Sequence, residues 1–217
     1  MKKLFTIGLC LAIAIGASAQ DSDAKAAKKE QKKYKTEFGI KAGYNFSKPT
    51  SAESFKPDNR SGFMIAGFIS PPTHGIIGYR SELIFSRQGF GYDDDGQKQN
   101  VQQDYIYMPH FTTINIKRVV QFQVGMQVGY LISSTNSQKE NSSNTKLNDY
   151  FNRIDYGFAG GVEVYPFKGI IIGGRYNGSL GKLYKEQSAT VPSPFPFNPN
   201  DLKTKNAVIQ VFAGYKF

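Results

Sequence analysis

From Val119 to Ser134 the chain reads VVQFQVGMQVGYLISS, and apolar and polar residues alternate along most of it. Val120, Phe122, Val124, Met126, Val128, Tyr130 and Ile132 take every second place, with Gln121, Gln123, Gly125, Gln127 and Gly129 between them. Side chains of a β-strand point alternately to opposite faces, so this ribbon has one oily face and one polar face. A helical period would scatter the glutamines around the surface. The run is longer than an average soluble strand and carries no charge. A tilted strand crosses a bilayer in about ten residues. The stretch therefore predicts one wall strand of a transmembrane barrel, with lipid on the oily side and a filled lumen on the other.

The same pattern recurs along the chain and predicts eight strands. The first runs from Glu37 to Ser47, with Phe38, Ile40, Ala42, Tyr44 and Phe46 on one face and Gly39, Lys41, Gly43 and Asn45 on the other. The second, Ser61 to Ser70, is apolar on both faces, so its orientation is not readable. The third runs from Ile76 to about Tyr92, with Ile77, Tyr79, Leu83 and Phe85 opposite Gly78, Arg80, Glu82, Ser86 and Gln88. The fourth, Asp104 to Ile116, contains Pro109, whose missing N–H predicts a bulge or a weakly paired position. After the fifth come Tyr150 to Tyr165, Gly169 to Tyr184 and Lys205 to Phe217. Connections at Pro71–Gly75, Lys117–Arg118 and Pro166–Lys168 are short. Those at Lys48–Arg60, Asp93–Gln103, Thr135–Asp149 and Lys185–Thr204 read as long polar loops. Outer-membrane barrels have this asymmetry, with short periplasmic turns and longer extracellular loops. The expected architecture is all-β, an eight-stranded antiparallel up-and-down transmembrane β-barrel with both termini in the periplasm. Its rival is a soluble eight-stranded barrel such as a lipocalin, because alternation alone does not say which face points outward. Charges and glycines sharing the polar face, together with the loop asymmetry, favour the membrane form.

The N-terminal segment reads as a secretory signal over residues 1–19. Lys2 and Lys3 precede an apolar run from Leu4 to Ile15, and Ala17-Ser18-Ala19 supplies a cleavage site. The run falls short of the ~20 residues of a spanning helix. The sole cysteine, Cys10, lies inside this segment, which leaves the mature chain without disulfide or thiolate chemistry. Residues 20–36 are polar and lysine-rich and predict a flexible periplasmic tail, with electrostatic contact to anionic lipid, peptidoglycan or a partner as its sharper use. The barrel domain would span 37–217. The formal charge of +10 falls to +8 once Lys2 and Lys3 are removed. Such a charge points to nucleic acid in the cytosol, but export removes that class of partner. Phe (17) and Tyr (13) are abundant, which suits the aromatic girdles of membrane barrels.

Six charged residues share the inferred lumen face of their strands: Lys41, Arg80, Glu82, Asp155, Glu163 and Arg175. An eight-stranded barrel is just wide enough inside to be filled by side chains. Buried charges there must pair or cost several kcal/mol each. The six predict an ion-pair network that plugs the lumen; a narrow ion path or a ligand cavity is the alternative. Gly78, Gly125, Gly129, Gly157, Gly161 and Gly173 share this face and are expected to make room for the long side chains. His74 and His110 are isolated from carboxylates and nucleophiles in sequence, so neither catalysis, a metal site nor a cofactor is expected. Asp93-Asp94-Asp95 lacks the spacing of a calcium loop and reads as a solvated tip.

Several segments together resemble the PorT-like outer-membrane β-barrel family of Bacteroidota. They are Phe38 to Ser47, Glu82 to Gly89, Tyr107-Met108-Pro109, Gly125 to Ser133, Asp155 to Gly161, Gly174-Arg175-Tyr176 and Gly214 to Phe217. The resemblance implies an outer-membrane location, and its namesake is associated with protein secretion across that membrane. Fold likeness does not transfer that role by itself. The final strand, with Tyr215 and Phe217, is expected to be read by the barrel assembly machinery. The expected function is a non-enzymatic barrel embedded in outer-membrane lipid, displaying four loops for envelope integrity, adhesion or partner binding. An accessory secretion component and a small pore are the alternatives.

Overall fold

The computed structural model describes residues 35–50, 57–94, 96–117, 119–138, 144–185, 195 and 204–217. The signal segment and nearly all of the basic tail lie outside the described residues. So does most of the connection after Lys185. Among the described residues nine strands form: β1 (Glu37–Ser47), β2 (Asp58–Ser70), β3 (Ile77–Asp94), β4 (Gln97–Ile116), β5 (Val120–Gln138), β6 (Asn144–Lys146), β7 (Ile154–Val164), β8 (Ile170–Ser179) and β9 (Ala207–Lys216). Eight of them close a ring in the order β1-β2-β3-β4-β5-β7-β8-β9, with β9 back on β1 and every pairing antiparallel. The short β6 pairs back on Thr135–Ser137 of β5, outside the ring.

Closure of a barrel requires strand tilt and a fixed stagger. A line across the strands from Phe38 passes Ile69, Ser81, His110, Met126, Phe158, Gly178 and Ala207, and meets β1 again at Lys48, ten residues further along. The stagger lets side chains from distant parts of the sequence meet inside at one level.

The alternation of β5 holds in three dimensions. Val124 and Met126 are 60% and 70% exposed, whereas Gln121, Gln123 and Gln127 are buried. Exposed apolar residues cover the outside of all eight wall strands, among them Ile40, Ile65, Leu83, Phe158, Ile172 and Val211. The inside is largely polar below and aromatic above. A soluble barrel with an oily interior has the reverse arrangement. On β2, whose orientation was not readable, Met64, Ala66 and Phe68 point inward while Phe63, Ile65 and Ile69 point out.

The ring has a turn end and a loop end. At the turn end, Lys117 adopts φ 49° and Val119 N–H donates to Ile116 O (3.0 Å), closing the β4–β5 turn in few residues. Gly169, with φ 85°, does the same between β7 and β8. The loop end departs from expectation in three places. Asp93–Gln103 is not a long loop: β3 and β4 continue as a paired hairpin to Asp94 and Gln97. The chain reverses at Gly96, which has φ 82° and whose N–H donates to Asp93 Oδ1 (2.7 Å). Asp-Gly between strands is a hairpin signal. Here its flanks are too polar to read as strand, because this part of the hairpin outreaches the apolar band. Thr135–Asp149 likewise begins as strand, since β5 runs to Gln138 and pairs with β6. The strands expected at Tyr150–Tyr165 and Gly169–Tyr184 are shorter at this end. Their wall segments start at Ile154 and stop at Ser179, and Tyr150, Phe151, Leu183 and Tyr184 fold over the mouth instead.

Pro109 pairs with Gln127 on β5, but the ladder to β3 skips Glu82–Leu83 opposite Met108–Pro109. The missing donor weakens one side of β4, as the sequence predicted. A bulge on β5 sits where Leu131 and Ser133 face consecutive residues Tyr105 and Asp104, leaving Ile132 extra.

Candidate functional site

In the lumen the strands gather charged, polar and aromatic groups away from solvent. Lys41 of β1 reaches across to both Glu82 of β3 and Glu163 of β7, the second contact at 2.5 Å. Arg80 donates to Glu163 (2.6 Å), to Ser70 Oγ (2.9 Å) and to Tyr165 (3.2 Å). The Tyr165 hydroxyl donates to Glu163 (2.7 Å). Arg175 of β8 donates to Glu82 (2.9 Å) and to Gln210 (3.1 Å). All five charged side chains have zero exposure. Charge-assisted bonds of this kind are about twice as strong as neutral ones, and each glutamate accepts from two cations. The layer closes the cross-section near the turn end.

Asp155, sequence-predicted as the sixth member, is not in this layer. It lies further toward the loop end, where Tyr107 and Ser179 hydroxyls donate to its carboxylate, each at 2.7 Å. It still balances the count of buried charges among the described residues: the five contribute three cations and two carboxylates, and Asp155 supplies the third negative charge.

The aromatic floor under the cations was not anticipated. Arg80 lies over the Phe68 ring (4.2 Å), Lys41 over Phe68 (5.1 Å) and Phe212 (4.9 Å), and Arg175 over Phe111 (5.0 Å) and Phe212 (5.4 Å). Desolvated cation–π contacts of this type contribute about 2 kcal/mol. These rings rest on inward glycines. A Cβ at Gly39 would stand 2.4 Å from the Phe68 ring, and one at Gly173 would stand 2.7 Å from that of Phe212. The glycines thus make room for rings, and the rings carry the cations. The signal was present: Phe111 and Phe212 occupy inward positions of strands whose outward face is already apolar.

The loop end is filled differently. Phe195 packs against Tyr184 (5.7 Å between centroids), Phe151 (6.0 Å), Tyr92 (6.0 Å) and Tyr150 (6.1 Å). Phe90, Val101, Leu131, Leu147 and Leu183 belong to the same buried cluster, which continues through Tyr105 and Tyr107 to Phe68 and Phe212. Burial pushes the Tyr184 phenol above its ordinary range.

His110 points outward from β4 and shares a 2.5 Å hydrogen bond with the Tyr79 hydroxyl. Asp93 caps its hairpin turn. Among the described residues no cluster of His, Cys, Asp or Glu could hold a metal ion. At the turn end, Lys216 bonds Glu37 (2.8 Å), and Phe217 N–H donates to Phe38 O (2.9 Å), which fastens β9 to β1. Tyr215 and Phe217 stack edge-on outside the ring at 5.5 Å, and both are exposed.

These features can be set beside known proteins. No curated protein matches the chain. Among solved structures, Neisserial surface protein A is similar in fold, with a TM-score of 0.51 and 15% identity over 83% of this chain and 97% of its own. The attachment invasion locus protein Ail of Yersinia pestis, solved with the heparin analogue sucrose octasulfate, gives a TM-score of 0.50 and 15% identity over 84% and 99%. Such identities speak for the barrel fold alone. Residues 18–185 match the family model described as the outer membrane protein beta-barrel domain. With its ring of eight strands, oily exterior and packed interior, the chain belongs to the outer membrane protein beta-barrel domain family.

Proposed function

We propose that the protein is a closed, non-enzymatic barrel that works through its loop end, serving envelope integrity, adhesion or partner binding. In this reading residues 1–19 are removed on export and residues 20–36 form a periplasmic tail. Both termini and the short turns face the periplasm, and the loop end faces outward. The observation that carries it is the ionic layer: five fully buried, mutually paired charged side chains span the lumen, which argues against the pore alternative. A partner therefore meets the outside of the barrel or its mouth. Planar-bilayer recording checks this. A folded barrel is expected to be electrically silent, and steady single-channel steps would return the pore reading to first place.

The PorT-like resemblance supports a second reading, an accessory component of a protein secretion machine, docked through the tail or the periplasmic turns. Affinity purification from detergent-solubilised envelopes separates the two, because repeated recovery of secretion components favours the second and their consistent absence favours the first. Tyr215 and Phe217 serve in either case as the signal read by the barrel assembly machinery. Deleting Phe217 is expected to slow the appearance of heat-modifiable barrel; wild-type kinetics would remove that role.

A further inference from the structure

Two hydrogen-bonded networks in the lumen stop on either side of one small cavity. The first climbs from the ionic layer. Arg175 donates to Gln210, Gln210 Nε2 donates to Asn45 Oδ1 (2.9 Å), and Asn45 Nδ2 donates to Ser86 Oγ (2.9 Å). The second hangs from Asp155, which accepts from Ser179 and Tyr107, while Gln88 Nε2 donates to Tyr107 (2.9 Å). Between them lies a cavity of about 10 Å³ as swept by the centre of a water molecule, bounded by Ser86, Gln88, Tyr107, Asn177, Ser179 and Gln210 among others.

Two atoms of its lining residues are buried and uncommitted: Gln88 Oε1, an acceptor, and Asn177 Nδ2, a donor. Gln88 is 1% exposed and Asn177 7%. Buried amide groups left without a partner are costly, and ordered water is the usual remedy in a polar cavity. The space matches a single water. An apolar guest would leave both amide groups unsatisfied. An ion would unbalance a lumen whose three cations and three carboxylates already cancel, and buried net charge is expensive.

We propose that this cavity is a binding site for one long-lived water molecule, which accepts from Asn177 Nδ2 and donates to Gln88 Oε1. The water extends the Asp155 network from Gln88 to Asn177 of β8.

The test uses the refolded full-length mature barrel in detergent micelles. Magnetisation transfer from long-lived water to the side-chain amide protons of Gln88 and Asn177 is expected; its absence once both groups are assigned overturns the proposal. Asn177→Leu, close in size, removes the donor and displaces the water. It is expected to speed unfolding about tenfold, the effect of one lost buried hydrogen-bond partner. A dry cavity predicts the opposite, slower unfolding, because a buried uncommitted donor is removed. Should the leucine variant fail to fold, Asn177→Ser keeps a donor and must keep the water signal at Gln88; its loss overturns the proposal. A stability that depends on whether sodium, potassium or ammonium is present would identify a cation as the occupant and also overturn it.

Discussion

The two ends of the lumen solve the same packing problem with opposite chemistry. Near the turn end, Lys41, Arg80, Glu82, Glu163 and Arg175 fill the cross-section with paired charges on rings. At the loop end, Phe90, Tyr92, Phe151, Tyr184 and Phe195 fill it with apolar rings. The first group comes wholly from wall strands, held by ladders on both sides except where the β3–β4 ladder skips Glu82–Leu83. Much of the second comes from connecting segments, whose backbone is held by scattered bonds such as Asn152 N–H to Leu183 O, Leu183 N–H to Thr204 O and Lys185 N–H to Tyr150 O, not by continuous ladders. The difference teaches that an ionic plug needs a rigid frame. Its energy depends on distances of 2.5–3 Å, whereas ring packing tolerates small shifts. The ionic layer should therefore unfold only with the whole barrel, and the mouth should open by itself.

That contrast can be broken in graded steps. Lys41→Met removes the cation shared by two buried glutamates and should cost about 3–5 kcal/mol, read as a lower urea midpoint in lipid. A loss under about 1 kcal/mol would mean that Arg80 and Arg175 suffice, and that the layer is no keystone. Phe151→Ala should cost about 3 kcal/mol at the mouth. Backbone hydrogen exchange around Leu183 and Tyr184 should rise while the exchange of β1 and β9 stays near wild type. Equal loosening of both ends would erase the distinction.

The response to pH sharpens it further. Burial raises the Tyr184 phenol in the folded state. For a raised group the stabilisation is complete below its unfolded pKa, about 10, and is lost as pH climbs toward the folded value. The mouth should loosen in alkali, as seen by hydrogen exchange at Leu183. Tyr184→Phe should weaken that response. The smallest effect belongs outside the lumen. Arg87 and Asp104 pair at 2.8 and 2.9 Å on the outer face, partly exposed, so Arg87→Gln should shift stability by about 0–1 kcal/mol. A loss comparable to that of Lys41→Met would show that burial is not what separates the two sites.

Much of the wall was legible because lipid imposes a period of two. Each strand of the wall must turn apolar residues outward, and Ile77, Val124, Tyr156 and Ile209 obey. Legibility ended where that constraint ends. Beyond the apolar band, residues 93–103 are free to be polar on their outward face, so a paired hairpin looked like a loop. Tyr150, Phe151, Leu183 and Tyr184 continued the alternation of their strands and looked like wall, yet they fold over the mouth. On β2 both faces are apolar, and only its register against inward Gly39 of β1 and Glu82 of β3 decides that Phe68 points in, beneath Arg80 and Lys41.

The lumen divides in the same way. Local chemistry alone determined that Lys41, Arg80, Glu82, Glu163 and Arg175 would be buried on inward positions and would therefore have to pair. Which charge meets which was decided by the stagger of the closed ring. It brings β1, β3, β7 and β8 to one level and carries Asp155 above it, out of direct contact. Strand period is a property of neighbouring residues, whereas register around a closed barrel is a property of all eight strands together.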